Sequence, residues 1–134
     1  MEFVRGTELI HVMKQVKMYY QFYLAEVICG LEAMHSLGIV YRDLKPEHVL
    51  IDNTGHCKMV DFGFAKRLVK GKKTFTNCGT ADYVAPEVLK SIGTGFEADV
   101  WSLGVLLHEL CSGTTPFWDV DPVALYENVV KCRP

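Results

Sequence analysis

The chain has 134 residues, 49% of them hydrophobic, which is ample for one domain with a buried core. A formal charge of −2 gives no reason to expect nucleic acid or an anionic membrane as partner. The five cysteines, Cys29, Cys57, Cys78, Cys111 and Cys132, form no Cys-x-x-Cys pair and read as reduced thiols of a cytoplasmic protein. Met1 to Gly6 lacks a basic region followed by an apolar core, and no run approaches the roughly 18 apolar residues of a membrane span.

Met1 to Ile10, taken alone, reads as an exposed strand and turn. From roughly Lys17 to Ser36, the residues Leu24, Ile28, Leu31 and Met34 recur at helical intervals, which predicts a helix with one buried face ended by Gly38. Its aromatic residues Tyr19, Tyr20, Phe22 and Tyr23 are expected to pack rather than to take part in chemistry. Val49-Leu50-Ile51 and Cys57-Lys58-Met59-Val60 read as strands, and Asp52-Asn53-Thr54-Gly55 between them supplies turn residues. Such a hairpin brings Asp43, before it, close to Asp61, after it. Paired carboxylates of this kind suit phosphoryl transfer, one accepting a substrate hydroxyl proton and the other holding Mg²⁺ against nucleotide phosphates.

Further along, Lys70-Gly71-Lys72-Lys73 makes a polar, basic loop, and Glu97 to Ser112 is an apolar run too long and too helical in period for a strand. A last helix opens at Asp121-Pro122, a capping residue followed by Pro at the first helical position, and continues through Val123, Leu125, Tyr126 and Val129. Gly93-Thr94-Gly95-Phe96-Glu97-Ala98 fits a dinucleotide-binding fingerprint, but Pro86 and Lys90 make Ala85 to Ile92 a poor preceding strand. The five histidines form no His-Glu-x-x-His pair, which speaks against a zinc enzyme.

Four segments follow one another in order: Tyr41-Arg42-Asp43-Leu44-Lys45-Pro46-Glu47-His48; Asp61-Phe62-Gly63; Cys78-Gly79-Thr80 through Ala85-Pro86-Glu87; and Asp99-Val100-Trp101-Ser102-Leu103-Gly104. Together they resemble the eukaryotic protein kinases. Tyr41 in place of the commoner His, and the residues around Thr76 and Thr80, resemble the AGC group and its cyclic-AMP- and cyclic-GMP-dependent serine/threonine kinases. The resemblance implies a mainly α fold, a kinase C-lobe with a small β-hairpin at the catalytic site. Residues 1–10 would be the hinge and 11–134 the C-lobe of a partial kinase domain, with the N-lobe and the last C-lobe helices absent.

Carried over residue by residue, the resemblance makes Asp43 the catalytic base and Lys45 the contact to the transferred phosphate. It assigns ATP and Mg²⁺ as cofactors, with Glu2, Val4, Glu8, Leu50 and Asp61 at the nucleotide and Asp61 at the metal. Thr76 stands at the position of an activating phosphothreonine, set by an upstream kinase and paired with Arg42 and Lys66. Glu8, Glu47, Glu109 and Thr80 would meet a protein substrate with basic residues near its acceptor Ser or Thr. Asp99 would brace the catalytic loop. Glu87 would lack the arginine that pairs with it in the family, which implies a weakly stable segment.

One position departs from the family pattern: His48 stands where the family carries a metal-binding Asn. Imidazole offers nitrogen in place of a hard carbonyl oxygen, which makes His48 a doubtful Mg²⁺ ligand. The resemblance implies a serine/threonine kinase of which this segment, without an N-lobe and with His48 for Asn, is expected to be inactive by itself; a pseudokinase serving as a scaffold and a non-functional gene fragment are the alternatives.

Overall fold

The computed structural model describes residues 6–15, 20–69 and 71–134. Glu2, Val4, Tyr19 and the Lys17 start of the first predicted helix lie outside them. Strand β1 (Gly6–Glu8) leads directly into helix α1 (Leu9–Gln15), and helix α2 spans Tyr20–Ser36. Val27 and Leu31 are the buried residues of α2, with Tyr20, Tyr23, Leu24 and Met34 packed beside them. Ile28, expected on that face, is 40% exposed, and Phe22 lies exposed next to Tyr23. The helical stripe is rotated because Val27, not Ile28, is the residue that meets the core. Gly38 takes φ +75° past the helix end, a conformation that glycine adopts without a Cβ penalty, and donates its N–H to the His35 carbonyl.

Strand β2 (Ile39–Val40) precedes the catalytic-loop segment, a short 3₁₀ turn covers Pro46–His48, and β3 (Val49–Asp52) pairs antiparallel with β4 (Cys57–Met59). The turn between β3 and β4 is tied by Asp52 Oδ1, which accepts from the Thr54 N–H at 2.8 Å. The predicted hairpin is therefore present, as part of a three-stranded sheet of order β1-β3-β4. Gly6 allows the extra pairing: a Cβ there would stand 2.7 Å from the Ile51 carbonyl oxygen. A second small sheet joins β2 to β5 (Lys66–Arg67). Two-residue strands carry no readable alternation, so β2 and β5 left no trace in the pattern.

Helix α3 (Pro86–Leu89) occupies the stretch a dinucleotide fold would need as a strand, which rules that reading out. Helix α4 covers Glu97–Ser112, within the bounds read from the sequence, and α5 covers Pro122–Lys131 with Asp121 capping the Val123 N–H at 3.0 Å. Ala98, Asp99, Ser102, Val105, Leu106 and Leu110 form the buried stripe of α4, whereas Val100 and Leu107 are exposed on its other side. The core joins α1, α2 and α4 to Tyr41, Leu44, Val49 and Ile51, so the loop between β2 and β3 is mounted directly on packed helices. No helix among the described residues is long and apolar enough to cross a membrane.

Candidate functional site

Residues 41–45 have no regular structure, and their shape is imposed from α4. Asp99, fully buried in the first turn of α4, accepts the Tyr41 N–H at Oδ2 (2.9 Å) and the Arg42 N–H at Oδ1 (2.7 Å). His35 Nε2 on α2 donates to the same Oδ2 at 2.7 Å, fixing the carboxylate from the far side. Arg42 sits at φ +71°, a left-handed conformation unusual for a side chain of its size, and the Asp99 bonds hold it there. The Tyr41 hydroxyl donates to the Val60 carbonyl at 2.5 Å, tying the loop to the residue just before Asp61. Burial, and then the charges of Asp43, Asp61 and Asp99, push the phenol's pKa up, so it stays a donor.

On this frame Asp43 is buried and joined to Lys45 and Thr80. Thr80 Oγ1 donates to Asp43 Oδ1 at 3.0 Å, Lys45 Nζ donates to Thr80 Oγ1 at 3.0 Å, and Lys45 Nζ lies 3.6 Å from Asp43 Oδ2. Asp61 stands across from this group at φ +57°, its side chain 60% exposed, with Oδ1 accepting the Gly63 N–H at 3.1 Å. Between the two aspartates lies His48. Its Nδ1 is 2.9 Å from the Asp43 carbonyl oxygen and 3.3 Å from Asp43 Oδ2, and its Nε2 is 3.6 Å from Asp61 Oδ2. The Val60 N–H donates to the His48 carbonyl at 2.9 Å, fixing the spacing of the two aspartate-bearing segments. The hairpin thus brings Asp43 and Asp61 to one imidazole.

Magnesium, which the kinase resemblance implies, is bound through one or two carboxylates with phosphate and water oxygens completing the shell. The exposed carboxylate of Asp61 fits that role, and His48 Nε2 is the point at which the donor set departs from oxygen. Among the described residues, no group of three or more His, Cys, Asp or Glu side chains is arranged to ligate a metal. Of the residues assigned to the nucleotide, Glu8 and Leu50 are brought together as direct partners across β1 and β3. Glu8 also lies 3.4 Å from His11 Nδ1.

Arg42 and Thr76 line one small cleft with Asp43, Cys78 and Thr80. Arg42 Nε donates to the Phe64 carbonyl at 2.8 Å, while its buried Nη1 has no hydrogen-bond partner among the described residues. Lys66 Nζ reaches Thr74 Oγ1 at 3.0 Å, and Thr74 Oγ1 lies 3.5 Å from Thr76 Oγ1. Glu47 and Glu109 line a second cavity of about 390 Å³ together with Thr80 and Trp118; Glu8 is not among its walls. Glu109 accepts from the Tyr83 hydroxyl. Glu87, expected without its ion-pair partner, accepts a hydrogen bond from Thr94 Oγ1 at 3.2 Å.

Two anchors escaped the reading of the sequence. Thr74 and Thr94 exchange backbone hydrogen bonds of 2.8 and 2.9 Å, pinning the segment that carries Thr76 to the stretch before α4. His35 is the other: a lone histidine on a helix gives no signal until its partner 64 residues away is placed beside it.

This arrangement, with the sequence itself, defines the class. Residues 1–133 match the protein kinase domain family, and the chain belongs to it. It is 46% identical to the cAMP-dependent protein kinase catalytic subunit PRKX of Mus musculus, over 99% of this chain and 38% of that protein. It is 47% identical to the cAMP-dependent protein kinase catalytic subunit of Dictyostelium discoideum, over 98% of this chain and 21% of that protein. To the cGMP-dependent protein kinase, isozyme 2 forms cD5/T2, of Drosophila melanogaster it is 51% identical, over 83% of this chain and 12% of that protein. The chain is thus similar to cyclic-nucleotide-dependent kinases of the AGC type and spans well under half the length of these relatives.

Proposed function

We propose that this chain is the C-lobe portion of an AGC-type serine/threonine protein kinase that transfers the ATP γ-phosphoryl group to Ser or Thr of proteins with basic residues near the acceptor. The observation that carries this reading is the network of Asp43, Thr80 and Lys45 set opposite Asp61. Bound ATP would supply the phosphoryl group, and the divalent cation the charge that its phosphates require. Asp43, its Oδ1 held by Thr80, orients the acceptor hydroxyl and takes its proton. Lys45, held beside Asp43 through Thr80, places a positive charge where negative charge develops in transfer. Glu47 and Glu109, which share one cavity with Thr80, offer carboxylates to arginines of the peptide, and Glu8 does so from the edge of β1.

In the same reading Thr76 takes a phosphate from an upstream kinase. Arg42 Nη1, without a partner among the described residues in the cleft that Thr76 lines, supports this, as does Lys66, which donates to Thr74 two residues before Thr76. Five free cysteines are in keeping with a cytoplasmic location.

The test is phosphate transfer from ATP to an arginine-bearing serine peptide by the kinase that contains this segment together with its N-lobe. Asp43→Asn is expected to lower turnover by about 10²–10⁴ with peptide KM little changed; full activity in that variant would overturn the assignment. His48 favours a second reading, a pseudokinase that retains the fold as a scaffold. ATP binding with no transfer by the protein or by His48→Asn would select it.

A further inference from the structure

His48 has a hydrogen-bonding arrangement that constrains what can lie beside it. Its Nδ1 faces two acceptors, the Asp43 carbonyl oxygen at 2.9 Å and Asp43 Oδ2 at 3.3 Å. A carbonyl oxygen cannot donate, so Nδ1 carries the hydrogen. In the neutral ring Nε2 then presents its lone pair, and that lone pair faces Asp61 Oδ2 at 3.6 Å. Two acceptors turned toward each other, beyond hydrogen-bond distance, leave room for a cation between them, a proton on the ring or a metal ion.

The same features describe a metal-ligating histidine. Such a ring donates its other N–H to a backbone carbonyl or carboxylate, which fixes the tautomer and raises the basicity of the ligating nitrogen. Asp43 supplies both acceptors here. Bonds of about 2.0–2.2 Å from nitrogen and oxygen to a first-row cation together reach up to about 4 Å, so a cation fits between Nε2 and Asp61 Oδ2 with little movement of either. Asp61 is exposed on its other side, which leaves positions for water or phosphate oxygens. His48 is 12% exposed and held at both backbone groups, by Lys45 and Val60, so its ring is positioned before any ligand arrives.

We propose that His48 Nε2 and Asp61 form a mixed nitrogen–oxygen site that selects a divalent first-row transition cation over Mg²⁺. Mg²⁺ demands oxygen donors, whereas imidazole suits the transition cations. The inference rests on reading Asp61 as the cation-holding residue of the proposed kinase site, and concerns the identity of the cation rather than the reaction.

The test uses Mn²⁺ alone as the probe, without nucleotide or peptide. Electron spin-echo modulation of bound Mn²⁺ should show coupling to an imidazole nitrogen in the unaltered protein and none in His48→Asn. Mn²⁺ affinity, read by calorimetry, should fall by at least about 10-fold in His48→Asn, with the Mn²⁺-over-Mg²⁺ preference reduced accordingly. Asp61→Asn, at an exposed side chain, should lose the Mn²⁺ signal while keeping the far-ultraviolet circular dichroism of the parent, which covers the case of a misfolded His48 variant. Absence of nitrogen coupling, coupling unchanged in His48→Asn, or equal affinity for Mn²⁺ and Mg²⁺ would each overturn the proposal. Mg²⁺-supported phosphate transfer without nitrogen coupling would sink this inference and leave the kinase reading standing; nitrogen coupling without transfer would do the reverse.

Discussion

Asp99 shows how much of the site hangs on one side chain. Its two oxygens take three donors, the N–H groups of Tyr41 and Arg42 and the ring of His35, in a place without solvent. Replacing it by Ala leaves two backbone N–H groups unpaired, each a loss of about 1–3 kcal/mol when buried, and frees Arg42 from its left-handed conformation. Asp99→Ala should therefore lower stability by on the order of 3 kcal/mol, read as a urea midpoint, and should disorder the loop around Asp43 as seen by amide exchange. The neighbouring anchor is gentler. Tyr41→Phe keeps the ring against Phe62 and removes only the bond to Val60, so a loss of about 1 kcal/mol is expected.

At the scale of elements, the β3–β4 hairpin is latched to α2 through Glu26. Its Oε2 accepts the Cys57 N–H at 2.7 Å and its Oε1 meets His56 Nδ1 at 2.5 Å, with the Phe22 ring 6.0 Å from the imidazole. Hydrogen bonding to Glu26, and then the charge of Glu26, raise the His56 pKa above its ordinary 6.5. Burial pushes the Glu26 carboxyl up, but the Cys57 N–H and then His56 outweigh it and leave the pKa below the ordinary 4.5. Burial, followed by the Glu26 charge, lifts the Cys57 thiol to about 12, so it is no nucleophile at neutral pH.

A raised histidine contributes stability that is complete below its unfolded pKa and is lost as pH climbs through the folded one. A lowered carboxylate contributes stability that is complete above its unfolded pKa and is lost as pH drops through the folded one. The latch is thus at full strength between 4.5 and 6.5 and weakens on either side. Thermal midpoints should fall from about pH 5.5 to about pH 8.5 more in the parent than in His56→Gln; equal slopes would show that the latch carries no weight.

For the molecule as a whole, stability resides where α2 and α4 close on the loop segment. Leu106 is fully buried in that core, while Val123 on α5 is 64% exposed. Leu106→Ala should cost about 2–5 kcal/mol by urea unfolding, and Val123→Ala should stay within about 0.5 kcal/mol of the parent. Because the core includes Tyr41 and Leu44 themselves, the first change should also weaken protection of the Asp43 loop, whereas the second should not.

Local order was legible in the sequence wherever one segment decides the outcome. The bounds of α4, the Asp121 cap of α5, the hairpin with its Asp52 turn and the order of the Asp43, Asp61 and Thr80 segments all follow from periodicity, capping chemistry and motif spacing. These depend on neighbours a few residues apart, and the chain carries that information along its length. The face of α2 that is buried, the pairing of β1 with β3, the two-residue strands β2 and β5 and the Thr74–Thr94 bridge do not. Each is settled by a surface that only exists once distant segments meet: Val27 rather than Ile28 by the position of the core, and β1 by the close approach that Gly6 permits to Ile51. The same holds for the site. Sequence marked His48 as an odd residue, but only the tertiary structure set its Nε2 against Asp61 and its Nδ1 against Asp43, because ring orientation depends on acceptors supplied by the folded backbone.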